Sequence, residues 1–162
     1  MTPLTPFQTV GPYWSIGLRE GIDVAPQGTR IVIRGRLLDG QGTGIPDGVL
    51  EWWHPDLPEV QRSPTGADGG FVVDTIKPGA IDGPAGRTQA PHLAIRVLGR
   101  GILTQYHTRL YFADDPGNAG DPILGLVPED RRPTLLAQRA SADEYRFDVI
   151  LQGPQETVFF DL

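Results

Sequence analysis

The chain contains no cysteine, which excludes a disulfide scaffold and any thiolate-held zinc. It contains one lysine, Lys77, so nearly all of its 14 basic residues are arginines. Arginine suits planar, bidentate contact with carboxylates, at an interface or on an acidic ligand. No stripe of basic residues interleaves with aromatics, and 20 acidic residues leave a net charge of −6, so a nucleic-acid footprint is absent. No run approaches the roughly 18–20 apolar residues needed to cross a bilayer. The segment Met1 to Phe7 lacks a basic region followed by an apolar run, so no secretory signal is read there. The expected location is the cytoplasm, with neither nucleic acid nor membrane as partner.

Glycine and proline, by contrast, are plentiful: 21 and 16 in 162 residues. They punctuate alternating apolar runs, a pattern of short strands joined by turns. Thr29 to Leu38 reads as a first strand, closed by the turn Asp39-Gly40-Gln41-Gly42. Val49 to Trp53 is a second, entered through Pro46-Asp47-Gly48, and Asp68-Gly69-Gly70 turns the chain into Phe71 to Thr75. His92 to Val97, Thr104 to Phe112 and Tyr145 to Gln152 alternate as well, and Thr157 to Phe160 ends the series. Pro133 to Arg139 predicts a short helix. About seven strands with strict alternation and one minor helix predict an all-β fold, a β-sandwich. Length favours one domain. Residues 1–28, with little periodicity, read as an extended N-terminal arm, and residues 29–162 as the sandwich. Phe7, Tyr13, Trp14 and Ile16 make the arm apolar enough to dock.

Chemistry-bearing residues are few. His54-Pro55-Asp56 with His107 has the order of a His-x-Asp…His iron triad, but the spacing is loose and a surface histidine beside a turn is the better reading. Ser15, Ser63 and Ser141 lack a Gly-x-Ser-x-Gly elbow. Gly99-Arg100-Gly101 falls between two strands rather than ahead of a helix, so it is no nucleotide fingerprint. Asp68 and Asp114-Asp115 read as turn formers. Arg146 and Asp148 share a strand face and are expected to pair. From these residues alone, no active site emerges.

An ordered set of segments adds a resemblance. Thr5-Pro-Phe-Gln-Thr-Val-Gly-Pro-Tyr13 is followed by Pro46-Asp47-Gly48, Leu50 to Trp53, Thr75 to Gly79, Ala90-Pro91-His92 and Gly99-Arg100-Gly101. His107 to Phe112, Tyr145 to Asp148 and Glu156 to Asp161 complete it. The set resembles the intradiol ring-cleavage dioxygenases, and among them the α-subunits of two-subunit members. That resemblance implies a sandwich whose partner β subunit holds non-haem Fe(III) through two tyrosines and two histidines. In this chain His92 matches the first ligand histidine, Ala94 stands at the second, and Ile81 stands at a ligand tyrosine. The implied role is to complete the substrate pocket of the iron-bearing partner, in a higher oligomer of αβ protomers cleaving a dihydroxybenzoate such as protocatechuate with O2. Carried over by motif, Thr9, Gly11, Pro12, Tyr13 and Arg100 would line that pocket, and this chain would supply neither catalytic residue nor metal ligand. The chain is shorter than the usual pattern between Gly21 and Thr29 and around Leu57 to Thr65. The alternative is a non-catalytic β-sandwich serving as a binding or structural module.

Overall fold

The computed structural model describes residues 28–57, 60–99 and 101–161. Eleven β elements follow in chain order: β1 (Arg30–Leu38), β2 (Gly48–Trp53), β3 (Gln61–Pro64), β4 (Gly70–Ile76), β5 (Ile81–Asp82), β6 (Thr88–Gln89), β7 (His92–Gly99), β8 (Tyr106–Phe112), β9 (Leu136–Arg139), β10 (Glu144–Arg146) and β11 (Val149–Ile150). Nine of them form one sheet in the order β11-β1-β10-β9-β8-β7-β2-β3, with β4 on the far side of β1, while β5 and β6 pair separately. The sheet folds over on itself as an all-β sandwich. Its hinge is β9, which pairs in parallel with β8 through Leu136 and Ala137 and antiparallel with β10 through Gln138 and Arg139.

Alternation builds the core. Ile31, Ile33, Leu50, Trp52, Phe71, Val73, Leu93, Ile95, Val97, Leu110 and Phe112 are inward residues at every second position of their strands and form one cluster. The sandwich edges are stitched by side chains rather than by a ladder: Ser63 Oγ donates to Val72 O (2.8 Å) and Gln61 Nε2 to Asp74 O (2.9 Å). These contacts cover the β4 edge, where free carbonyls would otherwise invite pairing with another chain.

The turns read from the sequence are present. Asp39 Oδ1 accepts from the Gln41 and Thr43 amides, and Gly42 has φ +78°. Gly69 takes φ +79° beside Asp68, whose carboxylate accepts from Gly70 N. Asp115 Oδ1 accepts from Gly117 N in the same way.

Four local expectations need correction. The helix expected over Pro133 to Arg139 is a 3-10 turn at Arg132–Leu135 followed by β9. A two-turn helix has little stability of its own, whereas this segment gains ladder partners on both sides. The strand expected from Tyr145 to Gln152 splits into β10 and β11, because Phe147 N turns to Arg34 O and the Asp148 carboxylate accepts from Arg36 N. Arg146 therefore pairs with Glu144 at 2.7 Å rather than with Asp148. Thr157 to Phe160 forms a single bridge, Phe160 to His107, rather than a strand. Among the described residues no helix is long and apolar enough to cross a membrane.

Candidate functional site

Strands β2, β7 and β8 lie side by side, and their outward residues meet in rungs. Trp53 faces Ala94, and Ala94 faces Arg109. One rung along, Glu51 faces Arg96, which faces His107, and on the other side His92 faces Tyr111. The smallest of these side chains, Ala94, sits between Trp53 and Arg109 and leaves a hollow. The turn around Ile123 to Pro128 and the terminal segment at Val158 and Phe160 rise around it as walls. The terminal segment is held against β8 by Thr108 Oγ1 donating to Val158 O (2.7 Å) and by Phe160 N donating to His107 O (2.7 Å). The result is a cleft of about 440 Å³.

One end of the hollow is a fixed polar network. Arg109 Nη1 donates to Gln89 Oε1 (2.7 Å) and Tyr111 Oη (3.3 Å). Tyr111 Oη donates to Asp121 Oδ1 (3.3 Å). Asp121 is buried, and its carboxylate accepts from the amides of Ala90 (2.7 Å), Ile123 (2.8 Å) and Leu124 (2.7 Å). That carboxylate thereby fixes the turn that walls the cleft. Burial pushes the Tyr111 hydroxyl up to about 12, with Arg109 opposing the rise.

His92 is buried in the same network. Its Nδ1 lies 2.8 Å from Ala90 O, so Nδ1 carries the proton and donates, and Nε2 is left with a lone pair. Burial lowers its pKa, and the nearby Arg109 charge adds to the effect. A neutral ring oriented by a backbone carbonyl is the usual pose of a metal-ligand histidine.

The other two positions matched to ligands carry no donor. Ala94 presents a methyl group opposite a guanidinium. Ile81 pairs with Gln89 in the small β5–β6 hairpin. Positions 94 and 81 are thus linked through Arg109 and Gln89, while His92 packs on Tyr111 and alone of the three has a side-chain electron pair to give. Among the described residues no three histidine, aspartate or glutamate side chains converge as a metal ion requires. A non-haem Fe(III) centre does not fit this donor set: among the described residues, positions 81 and 94 offer no anionic donor, Asp121 is taken up by backbone amides, and Arg109 stands opposite Ala94.

His54, read from sequence as a surface residue, is 5% exposed. Its Nε2–H donates to Ile76 O at 3.0 Å, and its Nδ1 accepts from Asp56 N at 3.0 Å. Both nitrogens are therefore engaged, and His54, Asp56 and His107 do not gather into a ligand group.

Thr9, Gly11, Pro12, Tyr13 and Arg100 lie outside the described residues. Beside Arg100, Gly101 takes φ +86° and Ile102 N donates to Gly99 O, which defines a tight turn leading from β7 toward β8. Arg109, Gln89 and Asp121 were not singled out in the sequence. The signal for Arg109 was the β7–β8 register, which sets it opposite Ala94, but it needed a known hairpin turn to be read.

Large apolar side chains are exposed at the cleft and near the β8 entry. Trp53 is 47% exposed, Leu126 79%, and Leu103 and Tyr106 are exposed near the β8 entry. Arg96 lies over the Trp53 ring at 5.5 Å, and Glu51 is buried between Arg62 (2.8 Å) and Arg96 (3.1 Å), tying β3, β2 and β7 together.

Comparison with known proteins places this architecture. No family model matches the chain. The chain is 40% identical over 195 aligned positions to the "Protocatechuate 3,4-dioxygenase alpha chain" of Burkholderia cepacia, covering 98% of this chain and 97% of that one. It is 37% identical to the alpha chain of the same name from Pseudomonas putida, covering 99% and 98%. An alignment of 195 positions on a chain of 162 residues carries gaps where the relative holds segments that this chain lacks. The "Protocatechuate 3,4-dioxygenase beta chain" of Burkholderia cepacia is 29% identical over 82% of this chain and 68% of its own length.

Solved structures agree on the fold. A hydroxyquinol 1,2-dioxygenase from Pseudomonas putida superposes with TM-score 0.62 at 21% identity over 78% of this chain, which spans 57% of that protein. The dioxygenase domain of a carbohydrate-binding fusion from Streptomyces sp. SirexAA-E gives 0.64 at 23% identity, over 92% and 98% of the two chains. With both alpha chains matched end to end and the sandwich shared with intradiol enzymes, the chain belongs to the protocatechuate 3,4-dioxygenase alpha-chain family of intradiol dioxygenases.

Proposed function

We propose that this chain is the iron-free subunit of a heteromeric protocatechuate 3,4-dioxygenase in the cytoplasm, completing the substrate pocket of a beta subunit that holds the Fe(III). The observation that carries the reading is Ala94 facing Arg109, where a metal site would need a donor facing open space. His92 keeps a ligand's pose without company, so the iron and its ligands are assigned to the partner. When bound there, the Fe(III) supplies activation of the catecholate for reaction with O2. The product of ring opening between the two hydroxyl-bearing carbons is 3-carboxy-cis,cis-muconate.

This chain's own contribution is shape and charge. Thr9, Gly11, Pro12 and Tyr13 form the pocket wall offered to the partner, since glycine and proline let a backbone approach closely in a fixed shape. Arg100 supplies a cation for the substrate carboxylate. Leu103 and Tyr106, exposed apolar residues near the entry to β8, support burial against a neighbouring subunit.

The test is recovery of the tagged chain from its native host grown on an aromatic acid, followed by iron analysis and turnover. A second polypeptide with iron near one atom per αβ pair, lost when that polypeptide is removed, supports the reading. Iron retained by the lone chain overturns it. Arg100→Ala in the assembled enzyme is expected to raise KM for protocatechuate about ten-fold, and unchanged kinetics would remove that residue from the pocket.

A further inference from the structure

We propose that the cleft over Ala94 is itself a binding site for a small aromatic monocarboxylate, with Arg109 as its anion anchor. The argument stands on this chain's own residues and does not depend on the role assigned to the arm or to Arg100.

The floor of the cleft is the Ala94 methyl group, and its sides include the indole of Trp53 and the ring of Phe160. About 440 Å³ falls in the range of small-ligand pockets, which combine mostly apolar walls with a few fixed polar groups. A single aromatic ring with one carboxylate fits within it.

The fixed polar group here is the Arg109 guanidinium. Nη1 is held by Gln89 and Tyr111, and its carbon lies 5.9 Å from the Phe160 ring centre. Among the described residues, Nε and Nη2 have no acceptor, and no carboxylate pairs with this arginine within 4.0 Å. The nearby Asp121 carboxylate is already taken up by three backbone amides and Tyr111. Asp161 lies at the rim and is exposed to solvent. His107, on the wall, is held neutral near pH 7, because burial and the Arg96 charge both lower its pKa. A cation pre-oriented by two hydrogen bonds, with a free N–H edge and apolar walls, selects an anion with an apolar body. The guanidinium edge matches a carboxylate bidentately, and the flat walls favour an aromatic ring.

The experiment is a calorimetric titration of the purified protein, in the assembly in which it is recovered, with benzoate and with benzamide as its neutral counterpart. Wild type, Arg109→Gln and Ala94→Phe are compared, the second variant filling the floor while keeping the cation. The difference between wild type and variant isolates this site from any on a partner subunit. We expect benzoate binding to fall by one equivalent per copy of this chain in both variants, with affinity at that site at least ten-fold weaker. Benzamide should bind the wild type at least ten-fold more weakly than benzoate. A benzoate isotherm unchanged by both substitutions, or benzamide equal to benzoate, overturns the proposal. If Arg109→Gln does not fold, Ala94→Phe decides. Iron content and turnover of the same wild-type preparation test the subunit assignment separately: an inactive, iron-free preparation that loses benzoate in the variants would keep this site and discard that assignment.

Discussion

Ala94 and Arg109 are opposite residues of the antiparallel β7–β8 pair, so the smallest outward side chain of one strand faces a guanidinium of the next. A hollow and a cation arise from the same register, and both argue against a metal at that point. Restoring one donor does not undo this. The Ala94→His variant of the full chain is expected to retain less than about one tenth of an iron per chain after dialysis, because Ile81 still offers no anion and Arg109 still repels a cation across about one strand spacing. Metal analysis of the purified variant checks it, and stoichiometric iron would show that the Ala94–Arg109 register does not exclude a metal.

Tyr111 gives an alkaline signature. Its folded pKa is raised from 10.0 to about 12, so the unfolded chain loses this proton first as pH rises. The stability it contributes is present in full below pH 10 and is lost between 10 and 12, on the order of 3 kcal/mol. Denaturant midpoints for wild type and Tyr111→Phe should converge across that window, and parallel curves would contradict the assignment.

Glu51 sits with its side chain 7% exposed between two arginines that are each 30% exposed. Removing its charge leaves Arg62 and Arg96 facing one another across β2. A fully buried pair broken in this way costs about 3–5 kcal/mol and a surface pair below about 1. Glu51→Gln in this half-open setting should therefore lose about 2 kcal/mol. Urea unfolding checks it, and a loss below about 0.5 kcal/mol would class the triad with surface pairs.

Gly35 is required by contact rather than by φ. A Cβ there would lie 1.7 Å from Phe147 O and 2.8 Å from the tip of Phe71. The close approach is where the chain leaves β10 and Phe147 N bonds to Arg34 O. Gly35→Ala should destabilise by about 3 kcal/mol or more, since backbone must move. A midpoint within error of wild type would mean that the Phe147 segment yields freely.

The sequence was legible where one physical rule dominates. Alternation at Ile31, Ile33, Leu93, Ile95 and Val97 named strands and their buried faces, and Asp39, Asp68 and Asp115 with nearby glycines named turns. It failed where two partners compete for one segment. Leu136 to Arg139 carries helix-compatible residues, yet two neighbouring strands claim its amides, and no local propensity reports that. Ala94 and Ile81 were readable as missing donors because an absent side-chain donor is visible in one letter. Arg109 was not, because its meaning lies in what stands opposite and in the loop carboxylate of Asp121, which reaches it through Tyr111. Trp53 beside the fully buried Trp52 shows the same limit: alternation separates their faces, but only packing decides that the outer one stays half open.

All three histidines are shifted in the same direction, which gives an acid-side test. Burial is the first cause for His54, His92 and His107, and each has its pKa lowered from 6.5. Below 6.5 the unfolded chain therefore binds protons that the folded chain refuses. Their contribution to stability is present in full above pH 6.5 and is lost as pH falls through the lowered folded values. Between pH 6.5 and 5 most carboxylates remain ionised, so the slope there belongs largely to these rings. His54→Gln keeps a donor for Ile76 O and an acceptor for Asp56 N but cannot titrate. Urea midpoints at pH 7.5, 6 and 5 should fall less steeply for the variant than for wild type. Equal slopes would show that His54 accepts a proton in the fold as readily as in the unfolded chain, against its burial beneath Ile76.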